Sequence, residues 1–168
     1  MKRSHTKDGN PLLVGPLARV NINYAKLSED AKAIAEEANI EFPCLNPFMH
    51  NIARAMELVH AFDDALKILE ILDLAEAKPK VSYDVKSGFG AAVTEAPRGI
   101  LYHAYKVDRN GLIEGAQIVT PTVHNVSSAE ADLKSYIPTI AGKASNQLAN
   151  LCNMLIRAYD FCLSCAVH

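Results

Sequence analysis

The apolar residues change their spacing twice along these 168 residues, and that change constrains the fold more than anything else in the sequence. Asn46-Pro47 pairs a capping side chain with a proline suited to a first helical turn. After it, Phe48, Ile52, Ala55, Val59, Phe62, Leu66, Leu69 and Leu72 recur at three and four, which predicts one long helix closing before Pro79. The period then shortens. Val81, Tyr83 and Val85 alternate as in a strand, and Ser87-Gly88-Phe89-Gly90 reads as a turn. Two strand-like runs, Ile100 to Val107 and Leu112 to Thr120, flank Asp108-Arg109-Asn110-Gly111, whose Asn-Gly predicts a hairpin. Helical spacing returns afterwards: Ser127 and Glu130 form a capping box, and Leu148, Leu151, Cys152, Leu155, Ile156 and Tyr159 make an apolar stripe. A shorter helix is expected from Ser28 to Asn39. Residues 1–24, punctuated by Asp8-Gly9, Pro11, Gly15 and Pro16, are expected to be irregular. The fold class is therefore α+β, long helices packed with one small antiparallel sheet, and the chain is expected to end in a metal-binding tail on the strength of Cys162, Cys165 and His168.

Composition places this fold in a single domain spanning 1–168, with 49% apolar and 21% charged residues. The net charge of −2 comes from interspersed acids and bases, with no basic stripe for nucleic acid. Met1-Lys2-Arg3-Ser4-His5 lacks the apolar stretch of a secretory signal, and no run approaches a membrane span, so a cytoplasmic protein is expected. The four cysteines, Cys44, Cys152, Cys162 and Cys165, are not needed as a disulfide framework in a chain with this much core.

Cys162 and Cys165 stand three apart, with His168 three further on, and this is the densest set of soft metal ligands in the chain. Thiolates at this spacing suit zinc, nickel, copper(I) or an iron–sulfur centre. Attached haem needs a histidine directly after the second cysteine, and structural zinc needs a fourth ligand. Thioredoxin-like chemistry needs the pair at a helix start, whereas here it follows a helix. Two incidental thiols remain the plain alternative. In Glu95-Ala96-Pro97-Arg98-Gly99, proline and glycine fix the backbone around an arginine able to bind an anion, or simply form a surface turn. Pro121-Thr122-Val123-His124-Asn125 offers hydroxyl, imidazole and amide, or serves only as a helix-entry loop. His103 reads as hydrogen-bonded against the sheet, and His5, His50 and His60 have no evident partner. Cys44 and Cys152 read as structural.

Together these stretches resemble the large subunit of nickel–iron hydrogenases. The matching pieces are Val14-Gly15-Pro16-Leu17-Ala18-Arg19, Glu95-Ala96-Pro97-Arg98-Gly99 with Leu101 and His103, Pro121-Thr122 with Asn125, and Arg157 to His168. They follow the family's order across nearly the whole chain. The Ser-Cys-Ala-Val-His ending is most similar to the cytoplasmic, multi-subunit branch, with its diaphorase-type partners. The resemblance implies reversible heterolytic cleavage of dihydrogen at a nickel–iron centre whose iron carries CO and cyanide. Cys162 would be a terminal nickel ligand and Cys165 a bridge to iron. Arg98 would lie over the diatomic ligands, Pro121 and Thr122 would border them, and Thr122 would hydrogen-bond a cyanide. His168 would bind magnesium or a similar ion anchoring the tail.

Two departures carry information. Phe161 precedes the first cysteine where the family has proline. The family's other cysteine pair, in an Arg-x-Cys-Gly-x-Cys segment, is absent, as is its proton-relay glutamate. The expectation is a split large subunit, in which this chain equals the C-terminal half and a partner chain supplies the remaining thiols; the alternative is a fragment, or a homologue with a different metal occupancy. An iron–sulfur small subunit plus further electron-transfer subunits would complete the complex. The rivals are a metal-free structural subunit, like the hydrogenase-derived subunit of respiratory complex I, and a small zinc module using Cys162, Cys165 and His168.

Overall fold

A computed structural model describes residues 4–73, 80 and 82–162. Three helices form the first half. Gly15 and Pro16, expected as turn punctuation, open α1 (Pro16–Asn23) instead, with Gly15 as its N-cap and Pro16 in its first turn. A proline there forfeits an amide that a helix start leaves unpaired anyway. The signal beneath the punctuation is the spacing of Leu17 and Val20, both buried. α2 (Glu29–Glu37) starts where expected, with the Ser28 hydroxyl accepting from the Ala31 N–H and Glu29 and Asp30 at the positive helix end. Asn46 Oδ1 accepts from the Phe48 N–H, and a 3₁₀ turn at Pro47–Met49 leads into α3 (His50–Ile71). The expected end before Pro79 lies outside the described residues.

These helices pack through Leu17 and Val20 of α1, Leu27, Ala31 and Ala35 on and before α2, and Ala53 and Met56 of α3. Alanines at the contact let the α2 and α3 backbones approach closely. The distal half of α3 leaves that core behind, and Phe62, Leu66 and Leu69 are all more than half exposed.

The sheet is an antiparallel meander of β1 (Gly88–Ala96), β2 (Gly99–Val107) and β3 (Ile113–Val119). The Asp108–Gly111 hairpin is as expected. Asp108 Oδ1 accepts from the amides of Asn110 and Leu112, each at 2.8 Å, and Gly111 takes φ 81°. The first strand differs from expectation. Ser87 to Gly90 is no turn, since β1 begins at Gly88, and Tyr83 and Val85 join no strand. Val85 lies over the hairpin loop instead, its Cγ1 3.0 Å from where a Cβ on Gly111 would sit.

α4 (Pro121–Ile140) begins six residues before the expected capping box, and Ser127 is buried inside it. Thr120 is extended and Pro121 supplies the first turn, so the Pro-Thr-x-x-Asn stretch is helical rather than a loop. α5 (Ser145–Tyr159) packs beside it through Leu155 and Tyr159 against Ala129, with Leu13, Phe48 and Phe161 around them. The start of α4 and the end of α5 thereby meet next to the turn joining β1 and β2.

Candidate metal centre

That turn is two residues long, Pro97-Arg98, closed by the Ala96–Gly99 pair. Its backbone lies directly on residues 14–15. A Cβ on Gly99 (φ 129°) would collide with Val14 Cγ2 and stand 2.9 Å from Gly15 N, and one on Gly15 (φ 100°) would fall 2.6 Å from the Arg98 carbonyl oxygen. Only hydrogen fits at either position.

A second reversal closes α5. Asp160 adopts the left-handed conformation at φ 54°, which aspartate tolerates better than most residues, and its N–H returns to the Arg157 carbonyl. The Arg98 guanidinium reaches across to it: Nε donates to the Asp160 carbonyl at 2.6 Å and Nη2 to Oδ1 at 3.2 Å. Arg54 of α3 approaches from the other side, donating to the Ala158 carbonyl at 3.1 Å with its Nε 3.8 Å from Asp160 Oδ2. Two cations thus sit at the negative end of α5, where the helix dipole favours them.

Two residues beyond Asp160, the Cys162 N–H donates to Thr122 Oγ1 at 3.2 Å. Thr122 is 2% exposed in the first turn of α4, directly after the buried Pro121. One turn on, Asn125 is also 2% exposed; its Oδ1 accepts from the Val14 N–H at 2.9 Å and its Nδ2 donates to the Arg98 carbonyl at 3.4 Å. Arg98, Pro121, Thr122 and Cys162, widely separated in sequence, therefore converge. Cys165 and His168 lie outside the described residues. Among the described residues no group of three His, Cys, Asp or Glu is arranged to hold a metal ion.

Behind this surface Tyr159 donates to the Asp132 carboxylate and lies between the rings of His50 and Phe161, at 4.8 and 5.6 Å. Burial first, then the bond to Asp132, raises the phenol well above its ordinary range. His50 is 1% exposed, and neither ring nitrogen has a hydrogen-bond partner among the described residues. Burial, reinforced by the Arg54 charge, pushes its pKa down to about 4, so the ring is neutral at pH 7. His124 is helical and half-buried, with burial lowering its pKa as well. His103 bonds to the Tyr105 hydroxyl at 2.7 Å, as a sheet histidine should. The Cys44 backbone exchanges two hydrogen bonds with the Asn21 side chain, and its side chain packs on the first core.

The residues that sequence reasoning leaves without a role are Arg19, Arg54, Asn125, Tyr159 and Asp160. Arg19 of α1 grips Glu57 of α3 with two bonds of 2.6 Å and also reaches Glu95, Ala96 and Pro97. The available signal is that four of these five lie inside the stretches carrying the resemblance; Arg54 does not.

The chain matches the Nickel-dependent hydrogenase family over residues 3–168 and belongs to it. It is 39% identical over 168 residues to the alpha chain of sulfhydrogenase 1 from Pyrococcus furiosus, covering 99% of this chain and 39% of that one. It is 37% identical to an F420-non-reducing hydrogenase chain of Methanothermobacter thermautotrophicus, covering 92% of this chain and 34% of that one. Among solved structures it resembles an NAD+-reducing nickel–iron hydrogenase in the H2-reduced state, with TM-score 0.79, 26% identity, and coverage of 97% of this chain and 37% of that one. The reduced Ni-Fe-Se hydrogenase of D. vulgaris Hildenborough gives TM-score 0.74 at 28% identity, with coverage of 96% and 36%. The chain thus spans well under half the length of the relatives it matches. No helix among the described residues is long and apolar enough to cross a membrane.

Proposed function

We propose that this chain forms the C-terminal half of a nickel–iron hydrogenase catalytic subunit, cleaving dihydrogen reversibly into protons and electrons. The observation carrying the reading is the meeting of Cys162 with Thr122 and of Arg98 with Asp160, in a chain matching the family across residues 3–168. The donor chemistry fits the metal group: a cysteine whose backbone amide rests on a buried hydroxyl, in the same region as an oriented guanidinium, suits a soft metal whose iron carries anionic diatomic ligands. Cys162 and Cys165 would hold the metals, and His168 would hold magnesium or a similar ion. The bound centre supplies a Lewis-acidic metal pair that polarises dihydrogen.

The chain's own residues do the rest. Thr122 accepts from Cys162 through oxygen, so its hydroxyl proton stays available to a cyanide. Arg98 would carry fixed positive charge toward the diatomic ligands, and Asp160 balances that charge and holds the guanidinium. Pro121 fills the first turn of α4 and presents no amide proton there.

The second cysteine pair would come from polypeptide beyond these 168 residues. With that pair on a partner chain carrying Arg-x-Cys-Gly-x-Cys, an iron–sulfur small subunit and further electron-transfer subunits would complete the assembly in the cytoplasm. The bare apolar half of α3 offers the partner half a surface. Metal analysis of the purified complex tests the reading. Nickel with iron, and dihydrogen oxidation lost in Cys165→Ser, is the expected result. Undiminished activity in that variant overturns it, zinc alone indicates the small metal module, and no metal indicates a purely structural role.

A further inference from the structure

We propose that Arg19 and Asn125 are positioning residues for Arg98, setting its guanidinium through the backbone of the turn rather than through its side chain. This rests on the reading of Arg98 as part of the metal site.

Three consecutive carbonyls of the turn are captured, each by a side chain from a helix. Arg19 Nη1 donates to Ala96 O at 3.0 Å, Arg19 Nη2 donates to Pro97 O at 2.9 Å, and Asn125 Nδ2 donates to Arg98 O at 3.4 Å. The remaining Arg19 donors are also used: Nε and Nη2 hold the Glu57 carboxylate at 2.6 Å each, and Nη1 meets Glu95 Oε2 at 2.7 Å. An arginine offers five N–H donors in a planar fork, and this one uses all five. Glu57 belongs to α3, so the turn is referenced to the first helical core.

A mere surface hairpin needs none of this. β1 is exposed along nearly its whole length, so packing of the strands does not fix the tip. Asn125 adds a second reference, because its Oδ1 holds Val14 N–H while its Nδ2 holds the turn. The peptide at 14–15 presses on the opposite side, where Gly15 leaves no room for a side chain. Gripped at three successive carbonyls, the Arg98 Cα cannot shift without breaking a charge-assisted bond. The far end of the side chain is fixed on Asp160, so both ends are set and the guanidinium position follows.

Two variants separate positioning from bulk stability. Arg19→Lys keeps the charge but has only three donors and no fork. Asn125→Asp keeps the acceptor for Val14 but replaces the donor to the turn with a carboxylate oxygen facing the Arg98 carbonyl. In the purified complex, amide exchange over residues 96–101 should quicken about tenfold or more in both variants. Unchanged exchange there overturns the proposal whatever the metal content. In the metal-loaded complex kcat should fall about tenfold or more with KM unchanged, and the infrared bands of the diatomic ligands should shift. Both effects should vanish when Arg98→Lys is already present, as coupling in a double-mutant cycle requires. Additive losses, or unshifted bands, overturn it. A wild-type complex lacking nickel and iron defeats the hydrogenase reading instead, and the exchange measurement still decides whether the turn is positioned by these two residues.

Discussion

The β1–β2 ribbon and helix α3 each run from a tightly held end to a bare one, and the two ends are built differently. At Pro97-Arg98 the ribbon is bonded to α1, α4 and the end of α5, and α3 buries Ala53 and Met56 nearby. At the opposite ends Phe89 of β1 and Phe62 of α3 stand about two-thirds exposed. Directional polar bonds gather where a side chain has to be aimed. Non-directional apolar area gathers where another surface has to be covered. Among the described residues, the turn is held by polar bonds while the distal apolar face of α3 stays exposed.

Substitutions at each end test that division. Gly99→Ala at the held end should have the largest effect. It combines a disfavoured φ with a Cβ driven into Val14 Cγ2, so a loss of about 4 kcal/mol is expected by denaturant titration. A loss below about 1 kcal/mol would show that residues 14–15 can back away from the turn.

His50, behind the site, gives a pH-dependent effect. Its folded pKa of about 4 lies below the unfolded value of 6.5, so the unfolded chain binds the proton first as pH falls. Its contribution is full above pH 6.5 and is lost between 6.5 and 4, by up to about 3 kcal/mol. Comparing the pH dependence of melting in wild type and His50→Phe should show the slope flattened in the variant. Parallel slopes would contradict the burial argument.

Thr122→Val strips the Cys162 amide of its acceptor and should cost about 1–2 kcal/mol, read by the same titration. At the bare end, Phe62→Ser should leave stability within about 0.5 kcal/mol while weakening co-purification of a partner. Strong destabilisation instead would mean that this face is packed within the chain itself.

The elements governed by periodicity are legible from sequence. α2, the first turns of α3, the β2–β3 hairpin and α5 follow from apolar spacing and capping residues. The misreadings share a cause. Gly15-Pro16 and the segment from Thr120 to Asn125 contain residues that read locally as turns, yet in each the proline occupies the first turn of a helix. Val85 alternates like a strand residue but packs on the hairpin loop rather than on a neighbouring strand. In the candidate site, the motifs single out Arg98, Pro121, Thr122 and Cys162, and the fold brings their segments together. Arg19 and Asn125 are visible only as members of motifs, because a side chain that acts on a backbone carbonyl 78 or 27 residues away leaves no spacing signal.

The contacts holding Pro97-Arg98 all originate within this one chain: α1, α4 and the residue after α5. The placement of the arginine therefore uses contacts made by this chain's own residues. Under the proposed function, a metal centre would be loaded against a wall already held by hydrogen bonds, and reorganisation during loading would fall elsewhere.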